Sequence, residues 1–194
     1  MNPKGVTFGN EYEQFIERGL KPYSVGHQRM YSAPIDLITS PVEPTATSLK
    51  KANVLDVGCG IGVGYRMLRD AGIIGSYLGI EPDPKCVRYM KDTYPEADVI
   101  EEFWMDVPEG QLFVADFTFC VEVIEHVPLD DLGRFLEKLR EHTRRNLFLS
   151  TPLRENSEHG LFTKDGWVAK LCASDFRVAV VDWQWTTFFL CECV

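Results

Sequence analysis

The chain has 194 residues, 45% of them hydrophobic and 25% charged, which fits one soluble globular domain with a sizeable core. Its 20 basic residues against 29 acidic ones give a formal net charge of −9, which repels polyanions and disfavours nucleic acid as a partner. No apolar run reaches the length of a membrane span and MNPKGVTFGN lacks the pattern of a secretory signal, so the reading is a cytoplasmic protein with no membrane partner, its oligomeric state left open.

In chain order, NEYEQFIERG predicts a helix with Asn10 as N-cap, Glu13 three residues on and Gly19 as terminator. Residues 20–38 are aromatic-rich and partly helical, and TSPVEPTATSLKK is a turn-rich connector. A front segment, residues 1–49, therefore precedes a core of residues 50–194, the two forming one compact domain. NVLDVGCG is a short strand running into glycines, and VGYRMLRDAG places Val63, Met67, Leu68 and Ala71 on one helical face ending at Gly72. SYLGIEPD gives a second strand. DPKCVRYMKDTYP gives a second helix, with Asp83 as N-cap, Pro84 in its first turn and Pro95 beyond its end.

Further strands lie in ADVIEEF, DFTFCVEV and NLFLSTP, and LDDLGRFLEKLREHT presents Leu132, Phe135, Leu136 and Leu139 at helical spacing. HGLFTKDGWVAKL reads as a helix packing Trp167 and Leu171 inward. FRVAVVDW and TTFFLCECV have no helix between them, so they pair as an antiparallel hairpin at a sheet edge. This alternation predicts an α/β, Rossmann-like sandwich on a mostly parallel seven-stranded sheet with an antiparallel C-terminal strand. Cys59, Cys86, Cys120 and Cys172 lack paired spacing, and the CEC at 191–193 reads as strand residues facing the core. Arg140, Arg144 and Arg145 in REHTRRN read as complements to a helix C-terminus rather than a phosphate patch.

VLDVGCGIGVG holds four glycines at alternate positions behind an apolar run that carries one carboxylate, Asp56. Counting from Gly58, the glycines do not fall at the first, third and sixth positions of the dinucleotide fingerprint, and Gly64 is followed by Tyr65 and Arg66 rather than Lys and Ser/Thr. A carboxylate there opposes a pyrophosphate but suits a ligand bearing ammonium and sulfonium charges, as S-adenosylmethionine (SAM) does. Glu81, 25 positions after Asp56 and at the end of the second strand, can accept hydrogen bonds from the vicinal hydroxyls of a ribose.

At these residues the chain resembles the class I SAM-dependent methyltransferases. VLDVGCGIGVG is similar to their first motif, LGIEPD to their second, and DFTFCVEVIEHV to the fourth strand and turn of the branch that includes ubiquinone-biosynthesis methyltransferases. The resemblance spans about residues 50–194. It implies that Asp56, Gly58, Gly60 and Gly62 line the methionine end of SAM and that Glu81 holds the ribose, with Cys59 and Pro82 also among the cofactor-binding residues. Family members often carry an Asp after the third strand for the adenine amino group, but Phe103 stands there in EEFWMDVP. Glu102 or a backbone carbonyl, or stacking by Phe103 or Trp104, then replaces it.

Glu122, Glu125 and His126 in EVIEH sit at i, i+3 and i+4 past the fourth strand, so a helical turn would point them the same way. The candidate base and its orienter are His126 or His159 and Glu122, with Glu122 also beside the cofactor; no metal is assigned. His27, with Tyr23, Arg29 and Tyr31, would shape an acceptor pocket if the front segment covers the cofactor, although packing on the core explains those residues equally well. The leading function is methyl transfer to a small-molecule acceptor. One alternative is a metal-dependent small-RNA 3′-terminal 2′-O-methyltransferase, whose resemblance implies Glu122, Glu125, His126 and His159 as ligands. Another is a non-catalytic SAM-binding domain. The absence of an Asn/Asp-Pro-Pro-Tyr/Phe stretch and of a Pro-Cys pair disfavours DNA base methylation.

Overall fold

The computed structural model describes Glu17 and residues 25–39, 51–153, 161–183 and 186–193; the expected N-terminal helix from Asn10 and His159 lie outside the described residues. The chain forms two compact units, Met1–Asp106 and Val107–Val194. In the first, helix α1 (Val25–Thr39) is followed by β1 (Ala52–Val57), α2 (Val63–Asp70), β2 (Ile74–Ile80), α3 (Pro84–Thr93) and β3 (Asp98–Ile100). β1 pairs parallel with β2, Val54 opposite Tyr77 and Val57 opposite Ile80, and β2 pairs parallel with β3, Leu78 opposite Asp98. Helical crossovers make that parallel pairing possible, and β1 is accordingly apolar and buried along most of its length.

Local chemistry sets the ends of these elements. α2 starts after Gly62, at φ 82°, and Gly72 follows its end at φ 71°, a left-handed conformation that costs glycine least. The buried face of α2 carries Val63, Gly64, Tyr65 and Leu68 rather than the Met67 and Ala71 expected. Tyr65 takes that place because its ring packs on Tyr77 and Tyr94, with centroids 4.8 and 5.2 Å away. Asp83 caps α3 as expected, its carboxylate accepting the Lys85 N–H at 2.9 Å, with Pro84 at the first helical position.

In the second unit β4 (Ala115–Val121), α4 (Leu132–Glu141), β5 (Thr143–Thr151) and α5 (Lys164–Cys172) precede β6 (Phe176–Trp183) and β7 (Thr186–Cys193). β4 and β5 are parallel, β7 runs antiparallel to β5, and β6 forms the expected antiparallel hairpin with β7. Leu132, Phe135, Leu136 and Leu139 of α4 and Trp167 and Leu171 of α5 are all buried. Arg144 and Arg145 correct the helix-end reading: both belong to β5 and pair with Asp116 at 3.2 and 3.8 Å, so of the three arginines Arg140 stands in the last turn of α4, with Lys138. Parallel strands joined by helices, closed by an antiparallel C-terminal hairpin, are the Rossmann-like α/β class that the alternation predicts. Among the described residues no helix is long and apolar enough to cross a membrane.

Candidate functional site

The glycine loop joins β1 to α2. Gly58, Gly60 and Gly62 all have positive φ, 75°, 53° and 82°, so the chain takes three left-handed steps that side chains would strain. The Gly58 and Cys59 N–H groups donate to the Ile80 carbonyl at 2.8 and 3.2 Å. The Gly60 N–H donates to Glu81 Oε2 at 2.9 Å, while Glu81 Oε1 accepts from the Asp83 N–H at 2.9 Å. The Glu81 side chain at the end of β2 therefore ties the loop to the start of α3. Pro82 beside it is half-buried.

Asp56 is fully buried. Tyr77 donates its hydroxyl to Oδ2 at 2.9 Å, and Tyr31 of α1 donates to Oδ1 at 3.4 Å. Burial, and then the Asp56 charge, push the Tyr77 phenol well above its ordinary pKa, so it stays a donor at neutral pH. Gly79 opens the route for the Tyr77 ring: a Cβ there would lie 3.2 Å from Tyr77 Cε1 and 2.7 Å from Cys59 Sγ. Cys59 turns its thiol into the core, 3.6 Å from Met90 Sδ. Burial followed by the charges of Asp56 and Glu81 pushes that thiol up, which keeps it neutral and unreactive.

β3 leads into the segment expected to meet adenine. Trp104 is buried in a short 3₁₀ turn, whereas Phe103 is half-buried and donates its N–H to Glu102 Oε1 at 3.1 Å. Of the two rings, Phe103 is the more accessible.

The second unit carries the acidic pair. Glu122 follows β4 at φ 54° and a 3₁₀ turn, Ile124–His126, comes next, in place of the expected α-helical turn. The Glu122 N–H donates to the carbonyl and the hydroxyl oxygen of Ser150 at 3.1 and 3.2 Å, and the Ser150 hydroxyl donates back to Glu122 Oε1 at 2.9 Å. Burial, reinforced by the nearby Glu122 charge, pushes the Glu125 carboxyl up to about 8. Glu125 Oε2 and the buried Thr151 Oγ1 complete no hydrogen bond. His126 is exposed, and among the described residues no group of three or more His, Cys, Asp or Glu could hold a metal.

Glu81 thus meets the glycine loop through the Gly60 N–H, Asp56 lies on β1 just before that loop, and Glu122 and Glu125 are neighbours. Sequence reasoning missed Tyr77, Ser150 and Thr151, and placed Tyr31 in an acceptor pocket or the general core rather than on Asp56. Tyr77 had a signal, because it stands opposite Val54, two residues before Asp56 on the same face of β1.

A family model described as a methyltransferase domain matches residues 27–186. The chain belongs to that methyltransferase family. No curated protein matches this methyltransferase in sequence. Among solved structures, it is similar to magnesium protoporphyrin IX methyltransferase from Synechocystis PCC 6803 with bound SAM, at 15% identity and a TM-score of 0.71, over 98% of this chain and 100% of the other. A SAM-dependent methyltransferase from Clostridium acetobutylicum ATCC 824 aligns at 10% identity and a TM-score of 0.70, covering 94% and 96% of the two chains. The methyltransferase domain of bacterial CtHen1-C aligns at 18% identity and a TM-score of 0.68, covering 88% and 99%. Identities this low carry the fold alone. The family match makes this protein a methyltransferase, and these solved structures share its Rossmann-like fold.

Proposed function

We propose that this methyltransferase acts on a small-molecule acceptor, with the methionine end of SAM on Asp56 and the loop from Gly58 to Gly62 and its ribose on Glu81. One observation carries the reading of the cofactor site: a loop with three left-handed glycines is tied through the Gly60 N–H to the buried Glu81 carboxylate, and it follows directly on the strand that carries the buried Asp56. The donor set fits the cofactor, since two carboxylates held by phenols and backbone N–H groups favour a cationic ligand over a phosphate. Pro82 and Phe103 would flank the ribose and adenine, with Trp104 backing them from the core. SAM supplies a methyl group on a sulfonium leaving group.

The chain's own residues then have limited tasks, because in-line transfer depends mainly on alignment in a water-poor site. Asp56 and Glu81 orient the cofactor's two ends. Glu122, fixed by Ser150, is a candidate to take or direct the acceptor's proton, and His126 and His159 are the candidate bases. The net charge of −9 supports a small acceptor over a nucleic acid. The second reading, metal-dependent RNA ribose methylation through Glu122, Glu125, His126 and His159, draws on the proximity of the two glutamates.

The test incubates the protein with methyl-labelled SAM and a cell extract, then counts label in separated small-molecule, RNA, DNA and protein fractions. Label in the small-molecule fraction is the expected result. Label confined to short RNA and abolished by a chelator overturns it in favour of the metal reading.

A further inference from the structure

Helix α1 reaches the first motif through a gap shaped for it. Gly64, in the first turn of α2, has no side chain where a Cβ would lie 2.4 Å from Tyr31 Cε1, 2.8 Å from Tyr31 Cζ and 2.8 Å from Asp56 Oδ2. Any larger residue would collide with the tyrosine ring and the carboxylate together. Tyr31 fills the gap, buried at 4% exposure, and its hydroxyl reaches Asp56 Oδ1. Ile35 and Ile38, one and two turns further along α1, are buried as well.

Tyr77 holds the other carboxylate oxygen at 2.9 Å. The orientation of Asp56 is therefore shared between a strand that belongs to the core of the unit and a helix from the front segment. A buried carboxylate held at both oxygens keeps its direction, while one that loses a donor can turn.

We propose that Tyr31 is a positioning residue of the cofactor site, holding Asp56 in place and coupling the docking of α1 to SAM binding. The inference rests on the reading that the methionine end of SAM lies on Asp56. By linkage, whatever cofactor binding gains from docked α1, the docking of α1 gains from bound cofactor.

The decisive variant is Tyr31→Phe, which keeps the ring in the Gly64 gap and removes only the hydroxyl. Calorimetry on the full chain should show SAM affinity falling about three- to tenfold, the effect of one ordinary hydrogen bond, since the Tyr31 contact is long at 3.4 Å. Amide hydrogen exchange supplies a readout that packing alone would not move. Saturating SAM should slow exchange across residues 25–39 in the parent and slow it much less in Tyr31→Phe at equal saturation. Gly64→Ala is the second variant: alanine favours a helix over glycine, so weaker SAM binding with undocked α1 would come from displacement of Tyr31 and Asp56. Parent-like affinity and parent-like protection of α1 in Tyr31→Phe would overturn the coupling while leaving the cofactor site intact. If Asp56→Asn binds SAM as well as the parent does, the placement of the cofactor on Asp56 fails, and the coupling with it.

Discussion

Glu81 does two things with one carboxylate. Its oxygens accept the N–H groups of Gly60 and Asp83, both at 2.9 Å, so the group proposed to receive a ribose also shapes the loop. Glu81→Gln preserves size but replaces one acceptor oxygen with a donor, which cannot satisfy both N–H groups. SAM affinity should fall by about 1.5 to 3 kcal/mol, measured calorimetrically. An unchanged affinity would remove Glu81 from the site. Glu125 gives the second prediction at this scale. Its carboxyl is pushed up to about 8, mainly by burial and then by the Glu122 charge, so the folded protein binds a proton more tightly than the unfolded chain does. The stability linked to that proton is complete below the ordinary carboxylate range and is lost as pH rises toward 8. Urea midpoints should decline across that window. Glu125→Gln should flatten the decline and stabilise the protein above pH 8 by about 2 kcal/mol, a value reduced for the group's partial exposure. A slope unchanged by the substitution would show that Glu125 does not titrate there.

Elements were legible where one residue's covalent nature dictates a conformation. Asp83 before Pro84 fixes a helix start, as expected, and the glycines behind the first strand mark a loop, in which Gly58, Gly60 and Gly62 take positive φ. Spacing alone was weaker evidence. Residues at i, i+3 and i+4 suit an α-helical turn, yet Glu122 takes φ 54° and only three residues after it form a 3₁₀ turn, because the backbone of Glu122 is held by Ser150 on the neighbouring strand. That contact spans 28 positions and leaves no local trace. The same holds for Tyr31 and Asp56, 25 positions apart. The N-cap of α3 offers a clean test of the legible kind. Asp83→Ala removes the acceptor of the Lys85 N–H and should cost about 1 kcal/mol, read as a lower thermal midpoint with faster amide exchange in the first turn of α3. No loss would mean that Pro84 alone suffices to start the helix.

At the scale of the whole molecule, the alternating pattern was enough for the fold class, and the family match over residues 27–186 agrees with it. The acceptor is a different matter, because this fold serves many substrates through details that pattern does not encode. Charge is the molecular property that discriminates. A small acceptor, unlike a polyanion, brings no condensed counterions to release to a chain with 29 acidic and 20 basic residues, so the apparent acceptor affinity should vary only weakly with salt. An RNA acceptor would displace counterions, and log affinity would fall against log salt with a slope of about −0.7 for each phosphate contacted in a single strand. Transfer rates measured at subsaturating acceptor from low to high salt, each with and without a chelator, separate the two. A shallow, chelator-resistant profile is expected. A steep salt dependence together with loss of activity in chelator would assign the acidic turn at Glu122 and Glu125 to a metal and the acceptor to RNA, since the two together have no source in metal-free transfer to a small molecule.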